Sequence, residues 1–382
     1  MESEVVDAAV RDGSNTGEAH DEGVYIAPPW KQVWWKFKRH RVAVASLAVV
    51  FVLYALALFA EFFAPYLPNT RDTSFSFVPP QRIRVVGEDG LTRPFVYGLT
   101  GKRDMESGRR TYHEDRSAMY RVRVFARGEQ YRLWGLFPSD LHLIGVEEGG
   151  RLYLWGTDSA GRDVLSNVIH GARVSLSIGL LGVLFSLVLG IIIGGVSGYF
   201  GGPVDNCTQR GIEIIRGFPT IALWMALSAA MPPHWTQLQV YMAVVVILSI
   251  IGWTSLARAV RGKMISIRDE DFVLAARLNG AGTFRVLRLH MVPSFTSHII
   301  ATLTLSIPGM IIGETSLSFI GLGLSRPIAS WGVLLQQAQN IEALRFAWWL
   351  FLPGVVLVVT VLAFNFLGDG LRDAADPYSE LG

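Results

Sequence analysis

Cysteine is nearly missing from this chain. Cys207 stands alone among 382 residues, so neither an internal disulfide nor a cysteine-based metal cluster is available. Charge is also scarce. Asp, Glu, Lys and Arg make up 17% of the residues and leave a net charge of +2, which excludes nucleic-acid binding by bulk electrostatics. No phosphate cradle of the form Gly, four residues, Gly-Lys-Ser/Thr exists: neither Gly101-Lys102 nor Gly262-Lys263 is followed by Ser or Thr or preceded by the required glycine. The eight histidines are scattered, and there is neither a HExxH zinc motif nor a nucleophile elbow. No catalytic residues, cofactor site or metal site are therefore expected in this chain.

What the chain has in abundance is long apolar runs. Hydrophobic residues make up 51% of it and the mean hydropathy is +0.35, far too apolar for a soluble domain of this size. A membrane-crossing helix needs roughly 20 mainly apolar residues. Six segments qualify: 42–64, 174–199, 212–231, 240–256, 299–320 and 347–367. Pro219 interrupts the third, and the fourth is short. The first begins too far in and runs too long for a signal peptide, so it reads as a retained anchor. The fold class is an all-α polytopic membrane protein.

Basic residues give the orientation. "WKQVWWKFKRHR" precedes the first span with Lys31, Lys36, Lys38, Arg39 and Arg41, beside Trp30, Trp34 and Trp35 as interface anchors, which predicts a cytoplasmic N-terminus. Counting through six spans puts the C-terminus and the link between spans four and five on the same side. That link carries Arg258, Arg261, Lys263, Arg268, Arg277, Arg285 and Arg288, whereas "PPHWTQLQ" between spans three and four has no Lys or Arg. Four regions follow: a disordered tail at 1–29, a basic segment and first span at 30–64, an external insert at 65–155, and a membrane core at 156–382 with a cytoplasmic loop at 258–294. Alternation in the insert predicts two β-hairpins, one turning at Arg127-Gly128-Glu129 and one at Gly149-Gly150.

The stretch "DFVLAARLNGAGTFRVLRLHMVPS" lies between two spans. Asp271 is expected to cap a helix over 272–279, Gly280 and Gly282 to end it, Thr283 to cap a second helix through His290, and Pro293 to break the chain. Ala275, Ala276 and Gly280 then form a smooth patch framed by Arg277, Arg285 and Arg288. Composition alone fits both a helix lying on anionic lipid and a protein docking site.

The spacing Ala275-Ala276, Gly280 and Pro293 resembles the "EAA" loop of ABC importer permeases, with Leu274 at the family's Glu and His290 and Val292 at its Ile and Leu. Segment 156–176 is similar to the region before the second span of the C-type permeases of dipeptide and oligopeptide importers, with Asn167 where Arg is usual. Segments 317–335 and 353–377 resemble the last connection, span and tail of the same subunits. The resemblance implies a six-helix type I importer permease, not an enzyme, in a bacterial or archaeal inner membrane. It implies a homologous second permease, two ATP-binding subunits that hold ATP and Mg, and an extracytoplasmic solute-binding protein. Ala275, Ala276, Arg277, Gly280, Gly282, Arg285 and Pro293 would couple to the ATPase. Similar permeases serve nickel or oligosaccharides, and a gradient-driven transporter is a further alternative, though one without visible repeats here.

Inside the spans, Glu314 stands out. An acidic group at a helix centre costs about 2.5–3.5 kcal/mol on insertion scales, so it must face another helix or water. With Thr315, Ser316 and Ser318 it lines a translocation path or permease interface, or else makes a structural hydrogen bond. Pro219 and Pro308 are expected to break span hydrogen bonds. Gly190, Gly194 and Gly198 are spaced for close helix crossing. Asp369, Arg372, Asp373 and Asp376 form a charged cluster at the tail.

Overall fold

The computed structural model describes residues 29–87, 90–103 and 110–375, so the expected tail before residue 29 and Asp376 lie outside it. Helix α1 (Pro29–Arg39) is amphipathic. Phe37 is buried, whereas Trp34 and Trp35 are exposed, with Lys38 and Lys31 over their rings at 5.2 and 5.4 Å. His40 then starts α2 (Arg41–Leu58), its Nδ1 accepting the Ala43 N–H at 3.2 Å. The first span thus ends at Leu58. Phe59 breaks it before a short turn, Ala60–Phe63.

The insert is one antiparallel meander of β1 (Arg84–Gly87), β2 (Gly90–Arg103), β3 (Arg110–Leu133) and β4 (Phe137–Val146), in that order. The two expected hairpin turns are not where alternation placed them. Arg127, Gly128 and Glu129 lie inside β3, at an irregularity between Arg127 and Tyr131. The turn is Trp134-Gly135-Leu136 between the paired Leu133 and Phe137. Trp134 and Gly135 both have positive φ (53° and 74°), the left-handed backbone that suits a tight turn between twisted strands, and the Leu136 N–H donates to the Leu133 carbonyl at 3.0 Å. The sheet ends at Val146, Gly149 (φ 85°) lies in the turn beyond it, and 151–155 form no returning strand.

Polar bonds fasten the sheet to the bundle. His142 on β4 is buried, with Nδ1 2.7 Å from the Ala64 carbonyl and Nε2 3.0 Å from that of Glu129. The Glu129 carboxylate accepts from the Leu67 N–H (3.1 Å) and the Thr70 hydroxyl (2.7 Å). Arg173 pairs with Glu61 at 2.6 Å and donates to the carbonyls of Ala57 and Leu58. Burial pushes the Glu61 carboxyl up, but the Arg173 hydrogen bonds and charge outweigh it and leave it below its ordinary value.

After the sheet come α3 (Val164–Phe200), α4 (Gly202–Arg216), α5 (Thr220–Ala229), α6 (Gln237–Ile267) and α7 (Asp271–Leu278). A helical run from Thr283 to Ser294 leads to α8 (Thr296–Ile320), then α9 (Trp331–Gln337) and α10 (Leu352–Ala375). Among the described residues five helices are long and apolar enough to cross a membrane, or six if α4 and α5 form one bent span. The third expected span is therefore corrected to two helices meeting at 80°. Pro219 has no N–H to donate and disfavours a helical residue before it, so the helix restarts there. Pro308, by contrast, sits within an unbroken α8.

Small residues let α3 and α6 meet nearly backbone to backbone. A Cβ on Gly194 would strike the Ala257 carbonyl, and one on Gly198 would strike that of Arg261. Gly368 likewise admits Leu305, and Gly370 admits Ala43, drawing α10 against α8 and α2. The main core runs through all of these helices, with Trp331 wholly buried and its indole N–H on the Val168 carbonyl at 3.1 Å.

Candidate functional site

The loop after α6 rests on a small core of its own: Val260, Met264, Val273, Val286, Met291, Phe295 and Ile299. Glu270, not Asp271, is the N-cap of α7, and no side chain caps it. At the other end the chain closes a Schellman motif. The Gly280 N–H donates to Arg277 (2.9 Å) and the Ala281 N–H to Ala276 (3.1 Å), with Gly280 left-handed at φ 78°. Gly282 is extended instead (φ −66°, ψ 158°) and serves as the next N-cap in place of Thr283.

The second helix does not stop at His290. Leu287–Met291 forms a wide π turn in which the Val292 N–H reaches back to the Leu287 carbonyl, and helical backbone continues over Val292–Ser294. The widened turn accommodates Pro293, which has no N–H to contribute. The break falls at Phe295 (φ −123°, ψ 24°).

Of the expected docking residues, Ala275, Gly280, Gly282, Arg285 and Pro293 are exposed, while Ala276 leans towards the loop's core. Arg277 stacks over the Tyr199 ring at 4.9 Å, so it braces the loop against α3 as well as edging the patch. The most exposed apolar side chains were not singled out from the sequence: Leu278 is 89% exposed and Phe284 73%, with Leu289 beside them in the same loop. The legible signal was apolar residues on both faces of a two-turn helix, Val273 and Ala276 inward, Leu274 and Leu278 outward. Asp205 was missed too. It binds Arg261 through both carboxylate oxygens and accepts from the Ser197 hydroxyl at 2.6 Å, locking α4 and α3 to the end of α6 that carries the loop.

Glu314 lies fully buried in a polar joint. Ser175 of α3 donates to Oε2 (3.0 Å) and Ser318 to Oε1 (2.9 Å). Each serine oxygen in turn accepts a backbone N–H, from Trp331 at 3.2 Å and from Leu324 at 3.0 Å. One carboxylate thereby holds α3, α8 and the start of α9. Thr315 and Ser318 are buried with it.

A second cluster gathers before α3. Asp158 accepts from the N–H groups of Ala160 (2.8 Å) and Arg162 (2.9 Å), and both Arg162 and Arg326 approach its other oxygen. Arg326 also donates to Asn167 at 2.7 Å. An arginine at 167 would add a third cation to this cluster. Burial, reinforced by Arg162, pushes Arg326 down to about 10. Asp163 caps α3 by accepting from the Ser166 N–H (2.8 Å) and hydroxyl (2.6 Å), yet burial raises it to about 7.

The family described as "binding-protein-dependent transport system inner membrane component" matches residues 186–378. This chain belongs to that family. The "N-terminal TM domain of oligopeptide transport permease C" matches 28–80. The dipeptide transport system permease protein DppC of Bacillus subtilis (strain 168) is 40% identical over 223 residues, 58% of this chain and 68% of that protein. The di/tripeptide permease DppC of Pseudomonas aeruginosa (strain UCBPP-PA14) is 29% identical over 360 residues, 94% of this chain and 95% of that protein. Among solved structures, a chain of the inward-facing MetNI methionine ABC transporter aligns with a TM-score of 0.43 at 19% identity, over 55% of this chain and 97% of that one. In this inner membrane component the family match encloses the exposed loop and Glu314 with Ser318 and Trp331, while the joint's Ser175 lies just before it.

Proposed function

We propose that this chain is the C-type permease of an ATP-driven importer of short peptides and that its 271–294 loop is the docking element for an ATP-hydrolysing partner. One observation carries this reading: a loop held by its own core turns Leu278, Phe284 and Leu289 outward in a member of a transport-component family. Exposed apolar groups rimmed by Arg285 and Arg288 suit a protein cleft better than a headgroup layer. The peptide cargo rests on the relatives named as dipeptide, di/tripeptide and oligopeptide permeases.

In this proposal α1 and the loop are cytoplasmic and the sheet is external. A homologous permease supplies the other half of the path, two partner subunits bind ATP and Mg, and a solute-binding protein delivers cargo. Closure of the ATPase pair would move the loop, and α6 and α8 on either side of it would carry the motion into the bundle. Glu314 with its serines serves as the joint that keeps α3, α8 and α9 moving together, since its bonds all close within the chain. The test is isolation from the native membrane in mild detergent with mass spectrometry of accompanying chains. A second permease and P-loop ATPases support the proposal; a chain that emerges alone, where a known ABC complex survives, sinks it.

A further inference from the structure

The β3–β4 turn is apolar where a soluble hairpin would be polar. Leu136 is 73% exposed and Phe137 59%, next to exposed Trp134. On a free sheet in water such a tip invites aggregation. Its anchorage gives another meaning. The Trp134 indole N–H donates to the carbonyl of Leu58 at 2.8 Å, and Leu58 is the last residue of α2. The Trp134 ring lies 5.5 Å from Phe59 and 6.4 Å from Phe137. Phe125, held at φ 57° where bulky residues are rare, lies 6.1 Å from Phe62.

This aromatic group continues the outward face of α2, where Phe51, Val52 and Leu58 are exposed. The 18 residues of α2 make about 27 Å of helix, close to the hydrocarbon thickness of about 30 Å. The basic, Trp-bearing α1 closes the other end of that helix. Leu58 therefore marks the boundary of the apolar layer on the sheet's side, and Trp134 is bonded to it. That is the depth at which tryptophan collects in membrane proteins.

We propose that the Trp134–Phe137 tip rests in the interfacial zone of the leaflet nearer the sheet, with lipid as its occupant. The insert is then supported by the bilayer surface as well as by its bonds to Leu58, Ala64, Leu67 and Thr70. The test replaces Cys207 with Ser and places a single spin label by Leu136→Cys, or by Phe137→Cys as a second site. The full chain, with whatever subunits accompany it, is reconstituted in lipid nanodiscs, and His113→Cys, at the far end of the β2–β3 ribbon, gives the comparison label. Labels at 136 and 137 are expected to meet oxygen readily and a water-soluble nickel chelate poorly, with an oxygen-to-nickel accessibility ratio several-fold above that at 113. A nickel-accessible label at 136 and 137 places the tip in water. One shielded from both reagents places it under a protein subunit; either result overturns the proposal.

Discussion

At one end of the bundle the 271–294 loop sits on apolar side chains, Val273, Val286 and Met291, and turns more apolar side chains away from itself. At the other end the sheet and the α3 start are held by hydrogen bonds and ion pairs: His142 between two carbonyls, Arg173 on Glu61, Arg162 and Arg326 about Asp158. Apolar contact is tolerant of sliding, whereas directional bonds fix one geometry. The loop thus sits on an apolar seat above a fixed base, since the Asp205–Arg261 pair holds the end of α6 beneath it, whereas in the sheet the directional bonds reach the element itself.

The sharpest way to break this contrast is at the loop's outward face. Leu278→Glu or Phe284→Glu is expected to cut peptide uptake about thirtyfold or more, the scale of about 2 kcal/mol lost at an interface hot spot. Insertion and melting should be unchanged, because both side chains are exposed. Ala276→Glu should lower both uptake and stability, since that side leans on the loop's core. Met291→Ala removes a buried anchor and should cost about 2–5 kcal/mol. Hydrogen exchange would show it across 271–294 and not in the sheet.

Acid-base behaviour separates the two ends as well. Asp163 is raised from 3.8 to about 7 in the folded chain, so the folded state holds its proton over a range where the unfolded state does not. Its effect on stability is most favourable below about 4 and is lost as pH rises through about 7, at up to roughly 1.4 kcal/mol per pH unit. Asp163→Asn, which preserves a capping oxygen, should flatten that slope in thermal melts of the solubilised chain. Smaller effects come next. His142→Ala is expected to cost about 1–3 kcal/mol by orphaning the carbonyl to which the imidazole donates, read as faster exchange in β4 with an unaltered loop. Glu314→Gln keeps an acceptor for one serine and offers the oxygen of the other an amide donor, so it should leave uptake near the starting level, whereas Glu314→Leu should lower the melting temperature.

The spans were legible because lipid demands long apolar runs, and Gly280 because a Schellman closure needs a left-handed residue right after the helix. The sheet was legible by alternation but its turns were not. Trp134 takes positive φ without being Gly, Asn or Asp, so nothing local announced it. Glu314 was visible as a buried acid, yet its partner Ser175 lies 139 residues away and only packing brings it near. Pro219 was read as an interruption, and the size of the bend, 80°, depends on how α4 and α5 each find neighbours.

The length of α6 carries one more consequence. From Gln237 to Ala257 it holds no charged residue, and roughly 20 residues at about 1.5 Å each already fill the hydrocarbon layer. The remaining stretch to Ile267, which bears Arg258, Arg261 and Lys263, extends about 15 Å further. The helix is a stilt: it lifts the loop clear of the headgroups, at a height where a water-soluble protein can reach the face that carries Leu278 and Phe284.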